Sequence, residues 1–372
     1  MSHRAPVFFV TSKHPFPPDD GQKIPVANYF RVAESKGLSP EVIVVEMKPD
    51  SGGLGRMSEM VSRINPFSGF FTNEQLSDAA IEKLMSIGDA IVFVQPLRLF
   101  PMVLEIKKQN PRLQIIVLNN DAKWPQYWEE LLYGLGIRKG GTFNDLIKGL
   151  STPITYLKER LGAYRGADII ALQCERERKR LPWISNRTVI AMNALSKPTQ
   201  VWHGHDSPTF AMQVNLANRR GPKFRPFVER VWPLVHERAP YLHLELFGPG
   251  KTTPNWVEKT PNVRFVGLVD DVHDYLADKR GLVMPLEHDT GVSNTVLHGL
   301  ALDMPMITSL HSTRGVAHLS YSTPPVYVAN RPQEYVNGIL EASSLSHSAH
   351  PRAIGSWTDN FDVMMAALRQ AE

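Results

Sequence analysis

The stretch "LVMPLEHDTGVSNTVLHGLALDMPMITS", Leu282 to Ser309, decides how the chain is read. An apolar run ends at Pro285. A polar loop carrying Gly291 follows, then apolar residues at helical spacing from Val292 to Leu302, then a second apolar run from Met304 to Thr308. Strand, loop, helix, strand is the repeating unit of a parallel sheet, and its loop lies where helix amides can meet an anion.

The same alternation extends in both directions. Upstream, strands are expected at Pro6–Ser12, Glu41–Met47, Asp89–Gln95, Leu113–Asn119, Ala167–Gln173 and Arg187–Asn193, with helices such as Ile24–Ser35 and Arg98–Lys108 between them. Near-continuous apolar strands separated by helices predict a sheet covered on both faces. The stretch Asn193–Pro208 has no clear period and reads as a linker. The alternation then restarts with strands at Phe210–Leu216, Tyr241–Gly248, Val263–Gly267, Gly281–Met284 and Met304–Thr308, and helices at Pro226–Glu237, Asp271–Asp278 and Val292–Leu302. The expected fold class is α/β, with two Rossmann-like doubly wound domains facing across a cleft. Residues 1–195 form the first domain, 209–355 the second, and an amphipathic helix within 356–372 crosses back to the first.

Length and composition agree. A chain of 372 residues exceeds what one core usually serves. Its 42% hydrophobic and 21% charged residues are ordinary for a globular protein. Apolar runs such as "VFFV" and "IVFV" are far shorter than the roughly 20 residues that span a bilayer, and the chain opens on no leader pattern. The expected location is therefore cytoplasmic. One cysteine, Cys174, excludes an internal disulfide and a cysteine-built metal site. The net charge of +4 and a pI near 9.0 favour anionic partners such as a nucleotide or a phospholipid surface, and more weakly nucleic acid.

In such sheets chemistry belongs to loops at the carboxyl ends of strands. After the first strand, "SKHPFPPDDGQKIP" offers His14 and Gly21 before a helix. "NLANRRGPKF" follows the first strand of the second domain and brings Arg219, Arg220 and Lys223, suited to a diphosphate. "LFGPGKTTPNW" sets Gly248 and Gly250 beside Lys251, at a spacing of neither a Walker loop nor a dinucleotide fingerprint. In the opening stretch, Thr290, Gly291, Val292, Ser293 and Asn294 can present amides and hydroxyls, while Glu287, His288 and Asp289 can serve as acid, base or sugar ligand. Each loop alone also reads as a structural or solvated turn. "NNDAKWPQYWEE" places Asn119, Asn120 and Asp121 near Trp124 and Trp128, polar groups and aromatic platforms that suit a sugar. "SGGLGRMSEMVSRINPFSGFF" mixes arginines with large apolar residues, as a lipid-facing surface or a buried flap would. The run "CERERKRLPW" reads as a solvated charged helix start that can add to such a face. No His-Glu-x-x-His spacing and no Gly-x-Ser-x-Gly elbow occurs.

In order along the chain, "HLELFGPGKTTPNWVEKTPNVRFVGLVDDV" followed by the opening stretch resembles the donor-binding domain of GT-B glycosyltransferases, glycosyltransferase family 4 in particular. "VTSKHPFPPDDGQKIP" is similar to that family's acceptor-side loop, and "NLANRRGPKFRPFVERVWPLV" to its first donor-domain loop and helix. The resemblance implies sugar transfer from a nucleoside-diphosphate sugar, with retention, no required metal, and no cofactor beyond that co-substrate. It implies a donor held by Arg219, Lys223 and the Gly291 loop, and a glycan or lipid-linked acceptor with peripheral membrane contact. Where the family carries paired glutamates this chain has Thr290 and His298, and Asp303 stands at the family's glycine. A neutral imidazole at position 298 can bond one ribose hydroxyl, or simply pack. A nucleotide-sugar epimerase, a catalytically degenerate binding subunit and, as a minor reading, a nucleic-acid base glycosylase stay open beside the transferase.

Overall fold

In the computed structural model the described residues are 5–18, 23–47, 74–119, 122–137, 143–217, 224–285, 292–316, 326–346 and 348–371. The chain folds as two compact units. The first comprises Met1–Tyr127, Ser151–Asn193 and Trp357–Glu372, and the second Trp128–Leu150 and Ala194–Ser356.

The first unit is built on β1 (Val7–Thr11), β2 (Pro40–Val44), β5 (Ala90–Gln95), β6 (Leu113–Asn119), β7 (Ile169–Leu172) and β8 (Thr188–Ile190), with β3 (Glu46–Met47) and β4 (Glu74–Gln75) as a separate antiparallel pair. The six main strands run parallel in the order β2-β1-β5-β6-β7-β8. Successive side chains of β1 point to opposite faces. Phe8 and Val10 join the core under the helix Phe100–Gln109, through Val103 and Ile106. Val7 and Phe9 join the other core, with Val26 and Tyr29 of the helix Lys23–Ser35 and Phe361 and Met364 of the helix Trp357–Gln370. Both faces are covered, which is why the strand sequences are apolar throughout rather than alternating.

The second unit holds β9 (Thr209–Gln213), β10 (His243–Phe247), β11 (Val263–Gly267), β12 (Gly281–Met284), β13 (Met306–Thr308) and β14 (Val326–Val328). They are parallel in the order β11-β10-β9-β12-β13-β14. Phe210, Met212, Leu244, Leu246, Val283 and Ile307 form one core face with Trp232, Val235, Val336 and Ile339 from its helices.

Three local differences from the sequence expectation have physical causes. The helix expected at Pro226–Glu237 is two helices, Arg225–Arg230 and Trp232–Arg238, because Pro233 has no N–H to continue the first ladder. The strand expected at Glu41–Met47 stops at Val44, and Glu46–Met47 leaves the main sheet to pair with Glu74–Gln75. A further strand, β14, and the helix Pro332–Ser344 close the second unit. Arg280 caps that helix, donating to the carbonyls of Ala342 at 3.0 Å, Leu345 at 3.1 Å, and Ser343. Among the described residues no helix is long and apolar enough to cross a membrane.

Candidate functional site

In the second unit the strand order reverses at β9, whose neighbours β10 and β12 lead off to opposite sides. At such a reversal the carboxyl edge of the sheet is the place where folds of this kind take ligands. The hydroxyl of Thr295, in the first turn of the helix Asn294–Leu302, donates to Oε1 of Gln213, the last residue of β9. That bond ties the helix start to the reversal point. Ser293 is the N-cap, its Oγ accepting from the Val296 amide at 3.5 Å. The helix is held from behind by buried Val296, Leu297 and Leu300. It ends at Asp303, in left-handed conformation at φ 59°, whose carboxylate accepts from the His350 amide at 2.9 Å.

Gly248 and Gly250 are required by close chain approach within the unit. Gly248 has φ +131°, and a Cβ there would lie 2.0 Å from the Val214 carbonyl oxygen. Its amide donates to Gly267 at 2.7 Å, and the Leu216 and Ala217 amides donate to the Pro249 carbonyl at 2.8 and 3.1 Å. The Gly248–Pro249 turn is thereby fastened to the segment leaving β9. At Gly250 a Cβ would lie 2.9 Å from the Phe265 ring. Lys251 beside them is exposed.

His298 sits mid-helix with Nδ1 2.9 Å from Nε2 of His273, the rings meeting edge to face at 4.7 Å. His273 belongs to the short helix Val272–Ala277 after β11, whose N-cap Asp271 accepts from the His273 and Asp274 amides at 2.7 and 2.9 Å. Burial pushes His298 down to about 4, and the neighbouring His273 lowers it further against the opposing charge of Asp271. Burial also lowers His273, against Asp271 and Asp274. At neutral pH both rings are therefore uncharged, one donating and the other accepting. Among the described residues, Nε2 of His298 has no protein partner.

In the first unit the order reverses between β1 and β5. His14, in the loop after β1, is exposed, its Nδ1 3.4 Å from the Phe16 amide that donates to it. The loop after β6 is held by buried carboxylates. Asn119, itself buried, donates to the Tyr164 hydroxyl at 2.9 Å, which donates to Glu159 at 3.2 Å. Glu159 also accepts from the amides of Lys123 at 2.7 Å and Trp124 at 3.1 Å, and Glu177 accepts from the Ala122 amide at 2.7 Å. Burial raises Glu159 to about 7, against those amide bonds, the Lys123 charge and the Tyr164 bond. Tyr164 is raised by its own burial and by the Glu159 charge. Trp124 stacks edge-on against Tyr156, which does the same against Trp183.

The structure thus places Val292, Ser293 and Asn294 at one helix start with His298 midway along that helix, and Gly248, Gly250 and Lys251 on the turn after β10. Gly21, Asn120, Asp121, Arg219, Arg220, Lys223, Glu287, His288, Asp289, Thr290 and Gly291 lie outside the described residues, as does the loop Ser51–Phe71. Sequence reasoning did not find His273, Gln213, Glu159, Tyr164 or Glu177. The run "ERERKR" reads as solvated, yet Glu177 within it is 1% exposed and paired with Arg180 at 2.8 Å. For His273 the available signal was the Asp-x-His-Asp start of its helix. Among the described residues no group of three or more His, Cys, Asp or Glu side chains is placed to hold a metal.

Comparison with known proteins gives residues 214–344 as a match to the family model "Glycosyl transferases group 1". No curated protein matches the chain by sequence. Among solved structures, HepE of Anabaena, in complex with UDP and glucose, superposes with a TM-score of 0.54 at 9% identity, over 99% of this chain and 98% of that one. Sucrose-phosphate synthase of Thermosynechococcus elongatus gives 0.57 at 12% identity, over 98% and 95%. Trehalose-6-phosphate synthase gives 0.56 at 10% identity, over 99% and 96%. At these identities the likeness is one of fold.

Proposed function

We propose that the chain is a glycosyltransferase whose second unit, carrying the stretch matched by the group 1 model, binds a nucleoside-diphosphate sugar from which the sugar passes to a glycan or lipid-linked acceptor. The observation that carries this reading is the Gln213–Thr295 bond, which ties a capped helix start within the matched stretch to the strand-order reversal at β9, just before that stretch.

In this reading the diphosphate lies against the amides of Val292, Ser293 and Asn294 and is neutralised by Arg219, Arg220, Lys223 and Lys251. Fixed cations and helix amides stabilise the charge that grows on the leaving nucleoside diphosphate, and they do so without reorganising. No metal is needed for that neutralisation. His298, with Nδ1 engaged by His273, has Nε2 left to meet one ribose hydroxyl. Glu287 and Asp289 act on the transferred sugar, and transfer proceeds with retention. Acceptor contacts come from the first unit through His14, Gly21, Asn120 and Asp121, with Asp121 acting toward the acceptor hydroxyl. Asn119 and Trp124, committed to Tyr164 and to the aromatic stack, shape the segment that carries them. Because HepE is seen with UDP and glucose, a uridine donor is the first to test.

The test is release of nucleoside diphosphate from a panel of nucleotide sugars, with and without acceptors. Acceptor-dependent release supports transfer. Conversion of the donor without acceptor supports an epimerase, and no donor stabilisation or turnover supports a binding subunit.

A further inference from the structure

At the amino edge of its sheet, away from the loops that follow the strands, the first unit carries a pocket of about 440 Å³. The path of the chain accounts for it. The helix Lys23–Ser35 ends where Gly37, at φ 71°, turns the backbone toward β2, and the Leu38 amide donates to the Ala33 carbonyl at 3.0 Å. That turn sets Leu38 in the pocket wall. Ile91, at the start of β5, is a second wall, and the helix Trp357–Gln370 supplies Phe361 and Met365, one turn apart on one face. The segment entering β1 contributes only the small Ala5, so the core packed between these helices along the sheet stops short here.

Charge selects the ligand. Lys36, Asp362 and Arg369 stand at the same pocket. The first two are spent on each other, with Lys36 Nζ 2.8 and 2.9 Å from the carboxylate oxygens of Asp362. Arg369, one turn beyond Met365 on the same helix face, is exposed and has no ion-pair or hydrogen-bond partner among the described residues. Apolar walls of this extent with a few polar groups are the make-up of a small-molecule site. A guanidinium offers a planar fork that matches a carboxylate with two parallel N–H donors. A second negative charge on the ligand would meet Asp362, so a monoanion fits where a dianion does not. An aliphatic body takes the walls out of water.

We propose that this pocket binds a small monocarboxylate with an aliphatic body, its carboxylate on Arg369 and its chain against Leu38, Ile91, Phe361 and Met365. The ligand bridges the first and last helices of the unit and so stabilises the fold by mass action. The site does not depend on the donor reading, because it requires no nucleotide sugar. The test is calorimetric titration of the full chain with octanoate, 1-octanol and acetate, beside Arg369→Met, which removes the charge, and Ala5→Phe, which fills the pocket. Expected is saturable octanoate binding at one site, weakened about tenfold or more by either substitution, with 1-octanol and acetate each at least about tenfold weaker than octanoate. Octanoate should also raise the unfolding temperature of the wild type and not that of Arg369→Met. Without ligand the two should unfold alike, since Arg369 is exposed. Absence of saturable octanoate binding, or binding that Arg369→Met retains, overturns the proposal. So does 1-octanol binding as tightly as octanoate, which would leave the charge without a role. Failure here leaves the transferase reading standing, since that is judged by nucleoside-diphosphate release.

Discussion

Replacing Glu159 by Gln isolates the electrostatics of the loop after β6. The carboxyl is fully buried and rises from its ordinary value of 4.5 to about 7. Because the folded-state value lies above the unfolded one, the protonated form is what folding favours. The contribution is fully present below about pH 4.5 and is lost as pH rises through about 7. A difference of roughly 2.5 units corresponds to about 3 kcal/mol at 1.36 kcal/mol per unit. Lys123 and Trp124 donate to different oxygens of Glu159, so in Glu159→Gln the amide oxygen keeps one of these bonds and the other is lost at every pH, while the site no longer titrates. Comparing variant with wild type at each pH cancels every other group. The assay is thermal unfolding of both proteins from pH 4.5 to 8. The variant should gain on the wild type by about 6 °C or more across this range, using roughly 2 °C per kcal/mol for a unit of this size. A constant offset between the two from pH 4.5 to 8 would refute the argument.

Gly248→Ala should destabilise the second unit by about 2–4 kcal/mol, since the positive φ and the contact with the Val214 carbonyl both have to be relieved; urea unfolding measures it. Arg280→Ala leaves the carbonyls of Ala342, Ser343 and Leu345 without their charged donor and should cost about 2–3 kcal/mol in the same assay, with Arg280→Lys recovering only part because an ammonium has no fork. The His298 ring resonance should titrate near pH 4 by NMR, so that its contribution to stability is present above the unfolded value of 6.5 and lost as pH falls toward 4; a midpoint near 6.5 would contradict the buried pair with His273.

The sheets were legible because a strand covered on both faces is apolar at every position, and "VFFV" and "IVFV" are buried along their whole length. β14 escaped because three residues, "VYV", make no pattern. Asp303 was noticed only as a departure from a family glycine, and the structure supplies the reason for glycine there: the residue is a left-handed helix cap, which Asp tolerates with help from its bond to His350. His298 stood out in the sequence, whereas its partner lies 25 residues earlier, and only the packing of two successive helices brings the rings together. Glu159 and Glu177 were hidden for a related reason. A carboxylate that caps a distant loop looks, in a charged helix, the same as one in water.

Calorimetric titration with uridine, guanosine, adenosine and thymidine diphosphates tests the central claim most directly. The account predicts saturable binding of at least one of them at a single site, weakened about tenfold by Arg219→Ala through loss of one phosphate-paired cation and weakened also by His298→Ala. Absence of heat with all four nucleotides, or binding that neither substitution changes, would contradict the donor site proposed at the β9 and β12 reversal.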